Sequence, residues 1–210
     1  MDDVSGTSAA AVFDALGARY ERAFAGSPAH RDSLRELTGQ LAPGSRVLDV
    51  GSGTGRPTAE TLVAAGHEVH GVDVSPVMVE LAARQVPGAS FVRADIRELP
   101  LAEESFDAAC VYFSLLQMTR GEQAALLAKV ALALRPGGLL AVATVPLDVE
   151  GVEGLFMGRP VRVTSFDGPA FTGLVTDAGF TVVSGRSSLF TPAHPEATAE
   201  PHLFLLCRRT

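Results

Sequence analysis

The sequence predicts an α/β fold built on a mostly parallel, doubly wound sheet, and three observations carry that reading. Between residues 45 and 145, strand-like apolar runs alternate with stretches of helical period, the pattern of βαβ units. The strand runs are apolar at nearly every position, as in AACVYF, which suits strands buried on both faces. The first of them, VLDVGSGTG at 47–55, breaks into Gly51, Gly53 and Gly55 at the carboxyl end of its strand, where such sheets hold ligands.

The elements follow in order. Residues 1–8 are expected to form a loose tail. In AVFDALGARYERAF, Val12, Leu16, Tyr20 and Phe24 lie four apart on one helical face. Ser27 and Pro28 open a second helix carrying Leu34, Leu37 and Leu41, which stops at Pro43-Gly44. From residue 45, SRVLDV (strand) leads into RPTAETLVAAG (helix), and HEVHGVDV (strand) into SPVMVELAARQV (helix). ASFVRAD and FDAACVYFSLL are further strands. GEQAALLAKVALALRPGG is a helix closed by a Pro-Gly-Gly turn, and LLAVATV a fifth strand.

Residues 147–165 carry three glycines without a clear period and are expected to be a mobile segment over a substrate, with Phe156 and Met157 as apolar contacts. FDGPAFTGLVTDAGF reads as a helix, and TVVSGRSSLF and PHLFLLCRR as closing strands. With no repeat and no second compositional block, the expected organisation is one domain over 1–210, with a helical cap at 9–44 and the sheet core at 45–210.

Composition narrows the function. The chain has 210 residues, 47% apolar and 20% charged, as in an ordinary globular protein. A net charge of −7 without a basic stripe disfavours a nucleic-acid partner. No apolar run is long enough to span a bilayer, and the first ten residues lack an apolar signal core, so a cytoplasmic setting is expected. Cys110 and Cys207 stand apart in apolar runs, and His30, His67, His70, His194 and His202 have no metal-ligand spacing, so no metal is expected. Most of the histidines read as structural or exposed; His30 is a candidate base if its helix overhangs the site.

Three acids end three successive strands: Asp49, Asp73 and Asp95. Glycines after Asp49 let a ligand approach the backbone, and the loop's N–H groups are expected to face it. A carboxylate after the second strand is suited to clamp a ribose diol, and Asp95 to accept from a purine amine. Asp49 repels a pyrophosphate and favours a cation. The spacing is G-x-G-x-G, with Arg56 where a dinucleotide site has its third glycine, and no G-K-[ST] follows. A nucleoside bearing a sulfonium or ammonium fits better than a phosphate ligand, and S-adenosylmethionine is such a molecule.

VLDVGSGTG, GVDVS, RADIRELPL, FDAACVYFS and LRPGGLL together resemble the class I S-adenosylmethionine-dependent methyltransferases, in order and spacing, over residues 45–145. The resemblance implies a Rossmann-like sheet of seven strands with the last antiparallel, and N-terminal helices covering the site. It implies a cofactor site of Asp49, Gly51, Ser52, Gly53 and Gly55 around the methionine part, Asp73 at the ribose and Asp95 with Ile96 at the adenine, with Val74 and Met78 also binding the cofactor. Val111 to Phe113, with Tyr112 and Phe113 as contacts, would line the methyl-transfer side. Tyr20 and Phe24 are candidates for the cover, although Phe24 reads better as core stripe. No catalytic residue is assigned: a general base is required only where the acceptor must lose a proton.

The substrate implied is a small molecule with an O, N or C nucleophile, of the kind met in secondary metabolism, since the [ND]PPY segment of nucleic-acid amine methyltransferases is replaced here by VYFSLL. Two alternatives stay open on the sequence. One is a protein that binds the cofactor without transferring its methyl group. The other is a nicotinamide-dependent reductase, which fails on the absence of a Tyr-x-x-x-Lys pair: four positions after Tyr20 and Tyr112 stand Phe24 and Leu116.

Overall fold

The computed structural model describes residues 8–195 and 197–210. The 1–7 part of the expected tail lies outside these; Ser8 is ordered, and its hydroxyl caps the first helix by accepting from the Ala11 N–H. Nine strands and seven helices follow among the described residues: α1 Ala9–Leu16, α2 Ala18–Phe24, α3 Pro28–Thr38, β1 Arg46–Val50, α4 Thr58–Ala64, β2 Glu68–Asp73, α5 Pro76–Gln85, β3 Ser90–Arg93, β4 Phe106–Tyr112, α6 Arg120–Ala133, β5 Leu134–Thr144, β6 Val149–Phe156, β7 Arg159–Ser165, α7 Gly168–Asp177, β8 Phe180–Phe190 and β9 Glu200–Arg209.

Seven strands form one sheet in the order β3-β2-β1-β4-β5-β9-β8. β1 pairs in parallel with both β2 and β4, so the strand order reverses at β1. β9 runs antiparallel between β5 and β8, as the family resemblance implies. Apolar residues cover both faces. Leu48, Val111, Leu127, Leu140 and Phe171 belong to one core layer. Leu34, Leu37, Val47, Leu62, Ala141 and Phe204 belong to the other. Helix α3 is thus a wall of the core as well as part of the cap. No helix of the described residues is long and apolar enough to cross a membrane.

Two expectations are corrected. The first N-terminal helix is two helices. Gly17 sits at φ 50° and ψ −138°, outside helical space, and the Arg19 guanidinium satisfies the freed Ala15 and Leu16 carbonyls. The segment expected to be mobile is a regular hairpin, β6 paired with β7. It is anchored: Val161 is buried with Val12 and Leu16 of α1, and Phe156 stacks on Phe24 at 5.8 Å between ring centroids and lies 6.3 Å from Tyr20. Cap and hairpin therefore share a third apolar cluster above the carboxyl ends of the strands. Phe156 and Met157 pack into that cluster and line neither cavity described below.

Candidate active site

The glycine loop begins where β1 ends. Gly51, Gly53 and Gly55 have φ of 67°, 52° and 79°, the left-handed region that disfavours a side chain. The expectation that the loop offers its N–H groups to a ligand is corrected at Gly51, Ser52, Gly53 and Gly55. Those of Gly51 and Ser52 donate to the Val72 carbonyl, that of Gly53 to the Asp73 carboxylate at 2.9 Å, and that of Gly55 to Ser52. Donors turned inward cannot hold an anion, which agrees with a ligand lacking phosphate at this loop. Gly55 also departs from expectation: a Cβ there would lie 3.0 Å from Val86 and 3.2 Å from Phe91, so this glycine serves packing, and it lines neither cavity.

A cavity of about 770 Å³ opens over β1, β2 and the β3 end, within the usual range for a small-molecule site. Of the expected cofactor residues, Tyr20, Gly51, Gly53, Asp73, Val74, Met78, Asp95 and Ile96 line it. A narrower cavity of about 50 Å³ shares Tyr20, Gly51 and Gly53 and adds Asp49, Ser52, Tyr112 and Phe113. Val111, expected beside them, is wholly buried in the core and lines neither. Tyr112 turns its hydroxyl away to Ser33, 3.0 Å distant. Phe113 holds a positive φ of 58°, which turns the chain out of β4 toward the site.

Asp73 is 9% exposed and does two jobs. Its carboxylate accepts from the N–H groups of Gly53 and Ser75, both at 2.9 Å, fixing the loop and the start of α5. It also lines the large cavity, where remaining lone pairs can meet hydroxyls. Burial raises its pKa, against the lowering effect of those hydrogen bonds. Asp95 is more committed than the sequence suggested: the Arg97 side chain grips its two oxygens at 2.6 to 3.1 Å, and that pairing lowers its pKa.

Sequence reasoning missed several contributors. Phe13, Arg97, Ser114, Gln117 and the hairpin residues Val161 and Arg162 line the large cavity. Thr58 and His202 line the narrow one, beside His30, which the sequence had marked as a candidate base. Lys129 on α6 donates to the Ile96 and Arg97 carbonyls and so holds the loop after β3. The signal for His202 was available. In PHLFLLC it shares a strand face with Phe204 and Leu206, the face packed toward α3.

Asp49 is 3% exposed and its Oδ2 is buried without a hydrogen bond, an arrangement that calls for a partner. Burial, and then the charge of Asp73, push its pKa up to about 7. The fold therefore retains a proton that the unfolded chain releases above about pH 4, and this group's contribution to apo stability declines as pH rises from about 4 through 7. A cationic ligand favours the carboxylate instead. Affinity for S-adenosylmethionine, which carries the sulfonium charge, should consequently fall by up to about tenfold per pH unit below 7, and Asp49→Asn should flatten the dependence. Calorimetry from about pH 5.5 to 8 checks this; an unchanged slope in the variant would remove Asp49 from the ligand.

An unpaired buried carboxylate beside a glycine loop, a second carboxylate at the end of β2 and an apolar wall of Val74, Met78 and Ile96 fit a cationic nucleoside such as S-adenosylmethionine. The fold and this site are those of an α/β methyltransferase. A family model described as a methyltransferase domain matches residues 47–138. A methyltransferase of Synechocystis sp. is 30% identical over 160 residues, which is 73% of this chain and 74% of its own. The chain belongs to the S-adenosylmethionine-dependent methyltransferases.

Other relatives match over shorter parts of their length. A demethylmenaquinone methyltransferase of Renibacterium salmoninarum is 39% identical over 101 residues, 48% of this chain and 41% of its own. An O-methyltransferase of Penicillium expansum is 33% identical over 162 residues, 71% of this chain and 57% of its own. The chain thus spans about half the length of these two relatives. Among solved structures, the 1,6-didemethyltoxoflavin N1-methyltransferase of Burkholderia thailandensis, with its substrate and S-adenosylhomocysteine bound, is 26% identical with a TM-score of 0.72, over 95% of this chain and 86% of that one. A methyltransferase of Methanosarcina mazei at 18% identity and a TM-score of 0.70, over 87% of this chain and 97% of that one, shares the fold.

Proposed function

We propose that the protein binds S-adenosylmethionine along the β1–β2–β3 carboxyl ends and methylates a small molecule held beneath the cap and hairpin. The observation that carries this is Asp49, a buried carboxylate with an unpartnered oxygen beside a loop whose Gly51, Ser52, Gly53 and Gly55 N–H groups are taken within the protein. Asp49 would balance the cofactor's positive charge, Asp73 would accept its ribose hydroxyls, and Val74, Met78 and Ile96 would flank its base. Asp95 is also proposed at the base, with its pairing to Arg97 leaving it less free to accept. Tyr20 would close the site from above. The bound cofactor supplies an electrophilic methyl group on sulfonium, whose leaving group departs neutral.

The chain's part is chiefly positioning. The α1–α2 cap is tied down near the ribose end by Asp14, which accepts from the Ser75 hydroxyl at 2.5 Å, and by Glu21, which accepts from Gln85 at 3.0 Å. The aromatic rings of Phe13, Tyr20 and Phe24 roof the space, with Phe156 packed against them from outside the cavities. Such a roof excludes water and holds an acceptor against the methyl donor; alignment of this kind is worth up to about 7–11 kcal/mol. The acidic composition and the compact cover support a small-molecule acceptor over a nucleic acid, and the named activity of the Burkholderia relative points the same way.

The test is a ligand-induced melt. S-adenosylhomocysteine at 100 times its dissociation constant should stabilise the protein by about 2.7 kcal/mol, and NAD should not. Incubation with S-adenosylmethionine and a small-molecule extract should give methylated products by mass. Stabilisation by NAD alone would sink the cofactor reading, while binding without any product would favour a non-transferring protein.

A further inference from the structure

His202 projects from β9 into the narrow cavity and is 1% exposed. Its Nε2 lies 2.8 Å from Glu200 Oε1, and its Nδ1 is buried with no hydrogen-bond partner. The ring sits 4.6 Å from that of Phe113 and 5.6 Å from that of Phe190, between centroids. The same cavity is lined by Asp49, Gly51 and Gly53. An ionised Glu200 requires a proton on Nε2, which leaves the Nδ1 lone pair free. Buried polar atoms of this kind ordinarily have partners, and the partner implied is a donor delivered by a ligand.

We propose that His202, oriented by Glu200, accepts the proton of a phenolic hydroxyl, so that the methyl acceptor is a phenol. This rests on the methyl-transfer reading above. The walls of the cavity favour an aromatic acceptor: Phe24, Tyr112 and Phe113 line it, and Phe190 packs on both Phe24 and His202. The phenol oxygen forms the new C–O bond, its proton passes to Nδ1, and the electron pair of the broken C–S bond stays on the departing thioether sulfur. The imidazolium is then balanced by Glu200 and returns its proton to solvent.

The other titratable and charged groups around this cavity are His30 on α3, Tyr20 and Glu21 on α2, Asp49 on β1, Arg56 after the loop and Tyr112 on β4. His30 makes a poorer base. Burial, and then His202, lower its pKa to about 4, and its Nε2 is engaged with the Thr58 hydroxyl at 3.2 Å. Burial raises the pKa of Tyr20 to about 12 and that of Tyr112 well above its ordinary value, so neither is a base.

The experiment uses the full chain with S-adenosylmethionine and a panel of substituted phenols and naphthols, some un-ionised and some, such as nitrophenols, ionised at the assay pH. His202→Gln should lower kcat on un-ionised phenols by about 100-fold or more, and the loss should shrink sharply on ionised ones. Affinity for S-adenosylhomocysteine, measured by calorimetry, should stay within about twofold of wild type, since the histidine meets the acceptor and not the nucleoside. Glu200→Gln should give a smaller loss with the same pattern, and it keeps the test open if His202→Gln melts early. Ring nitrogen NMR of the wild-type complex with S-adenosylhomocysteine should place the His202 proton on Nε2.

Equal losses on ionised and un-ionised phenols would overturn the proposal, as would a proton on Nδ1. So would a wild-type protein that binds S-adenosylhomocysteine and methylates none of the phenols. Failure to bind S-adenosylhomocysteine at all is a different result and strikes the underlying cofactor reading.

Discussion

Asp73→Ala should weaken S-adenosylhomocysteine by about 100-fold, or roughly 3 kcal/mol, and should also lower the melting temperature of the apo protein. The first effect follows if the carboxylate accepts ribose hydroxyls. The second follows from the two N–H groups it already holds, on Gly53 and Ser75, which the variant leaves without a partner. A cost of about 2 kcal/mol corresponds to about 4–8 °C for a chain of this size. Asp73 is therefore the bracket of its own loop as well as the proposed ribose acceptor, and the bracketing is a role the sequence position alone did not suggest.

Asp73→Asn separates the two roles. The amide oxygen can keep one N–H, but its NH2 group then meets the other, donor against donor. Apo stability should approach that of the alanine variant while affinity falls between alanine and wild type. The measurements are calorimetry with S-adenosylhomocysteine and apo melts of each variant. If Asp73→Ala destabilises the apo protein yet binds as wild type does, the carboxylate is only a bracket and the ribose is held elsewhere.

The sheet was legible because its strands are continuous apolar runs with glycine or acid at their ends, and burial on both faces leaves that mark in any register. The hairpin at 149–165 was not. Only one of its faces is buried, through Phe156, Val161 and Val163, while glycines interrupt the alternation and Leu155 on the other face is 78% exposed. A strand whose apolar residues point both inward and outward has no readable period. The break at Gly17 was hidden for the opposite reason: Val12, Leu16, Tyr20 and Phe24 keep helical spacing across it, because both helices turn the same face to the hairpin.

At the site, the residue types were legible and their commitments were not. Spacing put three acids at three strand ends, but pairing decided what each is free to do. Arg97 binds Asp95, two backbone N–H groups bind Asp73, and Asp49 is left unpartnered. The loop's inward-facing donors depend on where the Val72 carbonyl falls, which is set by the β1–β2 register. His202 lay in a correctly read strand, but its neighbours His30, Phe113 and Asp49 are distant in sequence and only the closed sheet brings them together.

Gly51→Ala should be the most damaging single methyl group in the site. The position needs φ 67°, which costs an L residue about 1–2 kcal/mol, and the new Cβ would stand 2.4 Å from the Ser114 Cβ. Ser114 must then move, and it lines the large cavity just after Phe113. Affinity for S-adenosylhomocysteine should drop by about 100-fold, with a drop in melting temperature, as strain and displacement combine. Adding Ser114→Gly removes the clash but not the strain, so the double variant should recover part of both losses. Gly53→Ala is the control. Its φ of 52° carries similar strain, but its Cβ would meet no protein atom within 4 Å. Apo stability should fall by the strain alone, about 1–2 kcal/mol. Any further loss in affinity then measures a ligand packed directly against Gly53. If Ser114→Gly fails to improve Gly51→Ala, the close approach of the loop to the β4 end is not what holds the site in shape. If Gly53→Ala binds as tightly as wild type, the cofactor does not lie on this loop.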